Sequence, residues 1–186
     1  IREPGRDYSG ARQEQLRPAE ESRIDVVFVL DSTGSMSGLI EGAKQKIWSI
    51  SNQIASGKPT PELKIGLVAY RDKADVYVTQ VHDLTDDLDA VHAKLKTFQA
   101  AGGGDTPEHV NQAIYDSVHK IKWSEDNKTL KIIFLVGDAP PHMDYTDDVK
   151  YPETCKKAVE KGIIINTVQC GNDAECARFW QDICKK

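Results

Sequence analysis

The chain places hard oxygen donors where a buried strand should end. Ile24-Asp25-Val26-Val27-Phe28-Val29-Leu30 is an apolar run, and Asp31-Ser32-Thr33-Gly34-Ser35 follows it without a break. A carboxylate and three hydroxyls thus stand at the mouth of a strand. Two further stretches offer similar chemistry. Ala101-Gly102-Gly103-Gly104-Asp105-Thr106-Pro107-Glu108 is a sharp break between two helical segments, and Asp138-Ala139-Pro140-Pro141-His142 closes the apolar run Lys131–Gly137. Asp31, Thr33, Ser35, Thr106 and Asp138 are all oxygen donors, with no His or Cys among them, a set that suits Mg2+, Mn2+ or Ca2+. Neutral hydroxyls with only two or three carboxylates favour Mg2+, which tends to keep waters in an octahedral shell. So few protein charges leave the cation electrophilic, able to take one more anionic ligand from outside.

These residues meet only if the fold brings three loops to one place. Strand 24–31 is followed by apolar positions Leu39, Ile40, Ala43, Ile47, Ile50 and Ile54 at helical spacing, which predict a helix over 38–55. A turn at Lys58-Pro59-Thr60-Pro61 leads to a strand at 63–70 and a short one at 77–81, close enough to form an antiparallel hairpin at a sheet edge. Leu88, Val91, Leu95 and Phe98 mark a second helix, and Val110, Ala113, Ile114, Val118 and Ile121 a third. Lys131–Gly137 reads as a strand buried on both faces. A helix near 149–161, a strand at 163–168 and a helix near 173–184 complete the pattern. Strands alternating with helices imply an α/β sandwich: a mostly parallel central sheet, one antiparallel edge strand, helices on both faces. In such sheets ligands bind beyond the carboxyl ends of the strands. Asp31 and Asp138 end two strands, and parallel neighbours would bring both carboxylates to that end. The glycines at 102–104 let the loop carrying Asp105 and Thr106 approach closely.

Asp31-Ser32-Thr33-Gly34-Ser35 resembles the D-x-S/T-x-S signature of von Willebrand factor A (vWA) domains, whose Rossmann-like three-layer fold carries a metal-ion-dependent adhesion site. That site uses the signature, a Thr on a second loop and an Asp on a third. The resemblance implies that Thr33, Ser35 and Thr106 offer hydroxyls to the metal while Asp31 and Asp138 mostly hold metal-bound waters. The longer matches D-S-T-G-S-M, G-G-G-D-T-P-E and G-D-A-P-P-H are similar to bacterial vWA proteins, and the first two also to hemicentin vWA domains. The likeness spans about Ile24 to the end, three motifs in order. Thr33 stands where many members have Ser, and the third loop departs from the T-D-G form of integrins. Family members usually add a strand and a final helix after the segment that here ends at Lys186, so residues 23–186 are expected to be a vWA domain lacking those elements. Integrin-type domains report ligand binding through that last helix.

Several of these residues also have plain structural readings. Thr106-Pro107-Glu108 has the composition of a helix start, with Thr as cap, Pro first and an acid in the first turn. Ser35 and Ser37 would cap the 38–55 helix, and Asp31 would suit a turn. Asp105 and His142 are placed on the rim, and Asp72 and Asp75 read as solvated loop acids. Trp48, Trp123 and Trp180 are expected in or near the core. The acidic run Asp83–Asp89 reads as a helix start, since it lacks the EF-hand pattern.

The remaining features bound the function. Residues 1–22 have almost no apolar pattern and read as a tail or linker. A net charge of −5, with no Lys/Arg stripe, argues against nucleic acid. No apolar run nears the roughly 18 residues that span a bilayer. Cys155, Cys170, Cys176 and Cys184 contain no CxxC. Disulfides among them would mean an oxidising, extracytoplasmic setting, and free thiols the cytosol. An enzyme using Mg2+ finds little support. Aspartyl-phosphate chemistry needs a carboxylate where Thr33 stands, and no G-x-x-x-x-G-K-S/T loop or Ser–His–Asp order occurs. The expected function is non-enzymatic: a cation bridging to an acidic side chain of a protein partner. The alternative is an intracellular scaffold working beside an ATPase or kinase.

Overall fold

The computed structural model describes residues 22–104 and 106–186. All but the last residue of the 1–22 tail, and the rim position Asp105, therefore lie outside the described residues. Five strands form one sheet in the order β3-β2-β1-β4-β5, with β1 Arg23–Asp31, β2 Glu62–Tyr70, β3 Thr79–Thr85, β4 Leu130–Gly137 and β5 Ile163–Gln169. β1 pairs in parallel with β2 and β4, β4 pairs in parallel with β5, and β3 runs antiparallel at the edge. The mixed sheet is the one the sequence pattern implies. β3 starts two residues later than expected and runs on to Thr85, so Asp83 belongs to a strand. The helix signal of the acidic run narrows to Asp87, whose carboxylate caps helix α2 (Leu88–Thr97) by accepting from the Ala90 N–H at 2.9 Å.

Each inner strand sends alternate residues to opposite faces. Val26, Phe28 and Leu30 of β1 pack with Ile40 and Ile47 of α1 (Ile40–Ala55) and with Val91 and Leu95 of α2. Val27 and Val29 pack the other way, against α3 (Val110–His119), with Trp180 of α5 (Ala174–Ile183) and Cys155 of α4 (Tyr151–Glu160) in the same cluster. This gives three layers with β1 at the centre, shielded from water from Asp25 onward. The α1 face is uncovered over the edge strand β5, where Ile164 and Val168 are 51% and 42% exposed. Trp180 is in the core, and Trp48 and Trp123 border it. The four cysteines are free thiols. No helix among the described residues is long and apolar enough to cross a membrane.

Two expected helix starts are corrected. A short 3-10 turn, Gly34–Gly38, precedes α1, and neither Ser35 nor Ser37 caps it. α3 begins at Val110 behind His109, leaving Thr106-Pro107 outside the helix. Backbone pairing explains the second shift. The Glu108 N–H donates to Pro140 O at 2.9 Å and the His142 N–H donates to Glu108 O at 3.0 Å, so residue 108 joins a parallel bridge before the helix can begin.

Candidate functional site

Three loops converge at the carboxyl ends of β1 and β4. Asp31, the last residue of β1, is fully buried. Its Oδ1 accepts from the Thr33 N–H at 2.8 Å and the Thr33 hydroxyl at 2.7 Å. The Thr33 hydroxyl lies 3.0 Å from Ser35 Oγ, which donates to Asp138 Oδ1 at 2.9 Å. Asp31, Thr33, Ser35 and Asp138 thus form one continuous chain. Both the turn role of Asp31 and its place in the site are real, since the same oxygen serves them.

The chain is short of protons. A hydroxyl carries one hydrogen and two lone pairs. Thr33 spends its hydrogen on Asp31 and Ser35 spends its own on Asp138, so with both carboxyls ionised the Thr33–Ser35 contact has lone pairs on each side. A cation, or a proton on a carboxyl, fills that deficit. Asp31 Oδ2 is also buried and without a hydrogen-bond partner. Burial lifts the Asp31 carboxyl from 3.8 to about 6, against the pull of its Thr33 bonds, and Asp138 adds repulsion. Among the described residues, no ion pair reaches Asp31, Glu108 or Asp138. Arg71, next to the site, instead donates to the carbonyls of Ser32 and Gln99.

Two glycines make the convergence possible. A Cβ at Gly137 would sit 2.4 Å from the Tyr70 hydroxyl and 3.0 Å from Asp31 Cβ. Only a residue without a side chain lets β4 close on β1 there and deliver Asp138. Gly103 has φ +92, and a Cβ on it would meet Glu108 Oε1 at 2.7 Å and Thr33 Cβ at 3.0 Å. The glycine loop is tied to the first loop by Ala101 N–H to Ser32 O at 3.0 Å and Gly34 N–H to Gly102 O at 2.9 Å. Thr106, further along that loop, is exposed, and the described contacts do not join it to the other four residues.

The rim differs from its expected form. Asp72 and Asp75 are not solvated acids. Asp72 is buried and accepts from the Tyr145 hydroxyl at 2.7 Å, while Asp75 accepts from the N–H groups of Gly103 at 2.8 Å and Asp72 at 3.1 Å. His142 is not an open rim residue. It is 4% exposed, bonded through Nδ1 to Asp144 at 2.8 Å and stacked on Tyr145 at 3.9 Å. His109 packs edge-on to the same ring, and burial lowers its pKa. Glu108, read as an acid in a helix's first turn, is buried against the site, with Oε2 lacking a partner. Burial first, then the neighbouring Asp31 and Asp72, push its carboxyl from 4.5 up to about 9, against an opposing pull from Thr33. Only the cluster of Thr-Pro-Glu beside glycines hinted at a loop; nothing in the sequence signalled a buried acid.

This is an α/β domain with an all-oxygen cluster at the switch between β1 and β4. Residues 25–177 match the von Willebrand factor A domain model, and the chain belongs to that family. It is 32% identical over 125 residues to the ariadne-like RING finger protein R811 of Acanthamoeba polyphaga mimivirus, covering 64% of this chain and 11% of that protein. It is 27% identical over 121 residues to the alpha-protein kinase vwkA of Dictyostelium discoideum, covering 64% of this chain and 19% of that one. The chain thus spans a small part of these relatives' length. The crystal structure of the conserved hypothetical protein BatB from Bacteroides thetaiotaomicron superposes with TM-score 0.59 at 17% identity, over 78% of this chain and 66% of that one, a likeness of fold.

Proposed function

We propose that the domain is a non-enzymatic protein-binding module whose three-loop site holds a divalent cation, Mg2+ first, with Mn2+ or Ca2+ as alternatives. The proton deficit between Thr33 and Ser35 carries this reading. Two hydroxyl oxygens 3.0 Å apart, one hydrogen short when both carboxyls are ionised, beside an unpartnered Asp31 oxygen, suit a hard cation. Thr33 and Ser35 would hold it directly, with Asp31 and Asp138 orienting its waters and Thr106 as the remaining hydroxyl. When bound, the cation supplies a positive charge for an acidic side chain of a partner. Asp31 positions Thr33 through two hydrogen bonds, and Asp138 fixes the Ser35 rotamer through one.

The absence of enzyme chemistry is part of the proposal. His142 is the candidate base that the sequence offers, and its stacking on Tyr145 and its bond to Asp144 favour a fixed structural role. The second reading, a scaffold serving a kinase or ATPase, draws on the kinase vwkA among the relatives. It shares the same site chemistry and differs in the protein context.

Calorimetric titration with Mg2+ and Mn2+ on wild type and Ser35→Ala tests the site. Binding heat in wild type that is lost in the variant is expected. Equal heats in both proteins, or none in either, would refute it. A pull-down with and without EDTA then tests whether partner capture needs the cation.

A further inference from the structure

We propose that the open edge of β5 pairs with β5 of a second copy of this chain, antiparallel about a twofold axis at Asn166, so that the two sheets become one. The pairing does not depend on the cation reading above.

The two edges of the sheet are built differently. β3 carries Asp83, its pairing with β2 shifts register between Ile65 and Leu67, and its residues are all half-buried. A charge and a bulge are devices that keep an edge strand from pairing with another chain. β5 is Ile163-Ile164-Ile165-Asn166-Thr167-Val168-Gln169, with no charge, no Pro and an unbroken register along β4. Such an edge is a template for a further strand.

The register fixes which backbone groups are free. The Cys170 N–H donates to Gly137 O at 2.8 Å, so Ile164, Asn166 and Val168, in the same phase, turn their backbone groups toward β4. Ile163, Ile165, Thr167 and Gln169 turn theirs outward. Among the described residues no backbone group meets them there.

The side chains then select the occupant. On the α1 face Ile164 and Val168 are 51% and 42% exposed, two residues either side of Asn166. An antiparallel second copy centred on Asn166 sets Ile164 opposite Val168, Ile165 opposite Thr167 and Asn166 opposite itself. The outward backbone residues then meet as hydrogen-bonded pairs, 163 with 169 and 165 with 167. β-Branched side chains face one another across the join, and the two central amides can bond each other. Val168 also lines an apolar groove with Ala43, Ile47, Phe134 and Val136, and Ile164 of the second copy comes to rest beside it. Charge fits as well. Exposed Lys161 precedes the strand and exposed Asp173 follows it. The twofold brings each lysine end to the other copy's aspartate end, so like charges do not meet. Any strand could bond to the free backbone; the symmetry about Asn166 is what favours a second copy. In the pair, the loops at the carboxyl ends of β1 and β4 point to opposite ends of the joined sheet, and one molecule presents two binding surfaces facing apart.

The test is the mass of the whole chain in solution by sedimentation, with Asn166→Lys, Asn166→Cys and Ile164→Cys alongside. Wild type at micromolar concentration is expected to sediment at twice the mass of one chain, with or without EDTA. Asn166→Lys sets two ammonium groups against each other at the axis and should be monomeric, with its circular dichroism unchanged. Under diamide oxidation Asn166→Cys should cross-link into a covalent dimer above the wild-type background. Ile164→Cys, which faces Val168, should not. A wild type that is monomeric at every concentration, or that grows into open-ended aggregates, would overturn the proposal. So would a dimer that survives Asn166→Lys, or one that cross-links as well through Ile164→Cys as through Asn166→Cys. Should Asn166→Lys not fold, the two cysteine variants decide the matter.

Discussion

Removing divalent cations should make this domain less stable as pH rises, the reverse of the usual behaviour of a buried, well-paired carboxylate. Asp31 is the cleanest source. Burial raises its carboxyl from 3.8 to about 6 in the folded protein, while the unfolded chain keeps the ordinary value. An acid whose folded pKa is raised binds its proton more tightly when folded. Its stabilising contribution is therefore complete below about pH 4, falls between about 4 and 6, and is absent above that. At about 1.4 kcal/mol per pH unit of separation, the loss is about 3 kcal/mol. For a domain of this size that corresponds to roughly 6–12 °C in melting temperature. Glu108, raised to about 9, extends the same fall toward alkaline pH. His109 and His82 act oppositely, because burial lowers both, so they lose stability as pH falls below the ordinary histidine value of 6.5. The assay must therefore be a difference. Urea unfolding of wild type and Asp31→Asn, in EDTA from pH 4 to pH 8, removes the histidine contribution because both proteins share it. Wild type should lose stability relative to Asp31→Asn by about 3 kcal/mol across the window, and excess Mg2+ should abolish the loss. A constant difference between the two proteins at every pH would refute the account of Asp31 as an unpaired buried acid.

Other perturbations separate positioning from ligation. Gly137→Ala forces a methyl to within 2.4 Å of the Tyr70 hydroxyl, and urea unfolding should show a loss of about 1–3 kcal/mol from overpacking, with weaker Mn2+ binding because Asp138 moves with the strand end. Tyr145→Phe removes the 2.7 Å donor to buried Asp72 and should lower the urea midpoint by the equivalent of about 1–3 kcal/mol. Thr106→Ala alters an exposed residue and should change stability in EDTA by less than about 0.5 kcal/mol, while calorimetry shows reduced Mn2+ affinity through the lost hydroxyl. Unchanged affinity would remove Thr106 from the ligand set.

What was legible in the sequence was what period and order encode. The apolar runs 24–30 and 131–137 placed Asp31 and Asp138 at the ends of strands that do prove to be parallel neighbours, with Leu30 opposite Val136. Once those strands pair, the Ser35–Asp138 bond follows from local geometry. Thr106 was harder, because its neighbours Pro107 and Glu108 fit a helix start as well as a loop. Local propensity favoured the cap, and the long-range pairing of residue 108 with Pro141 overrode it. The same override hid the burial of Glu108, Asp72 and His142. Each is polar, each lies in a loop, and loops are normally solvated.

That failure has a physical direction. Burying a loop requires somewhere for its polar groups to go, and here Tyr145 meets Asp72, the Gly103 N–H meets Asp75, and Asp144 meets His142. Those contacts give each of the three acids a donor and so fix the loops, although His142 Nε2 stays without a partner. Among the acids of the described residues, Asp31 and Glu108 are the exceptions, each with a buried oxygen that the fold leaves unmatched. A polypeptide can retain two such groups next to each other only if something beyond its own side chains compensates them. In acid that is a proton. Near neutrality Glu108 keeps its proton while Asp31 ionises, and on the proposed reading a cation would compensate Asp31, with the hydroxyls of Thr33 and Ser35 as the neutral donors best placed to share it.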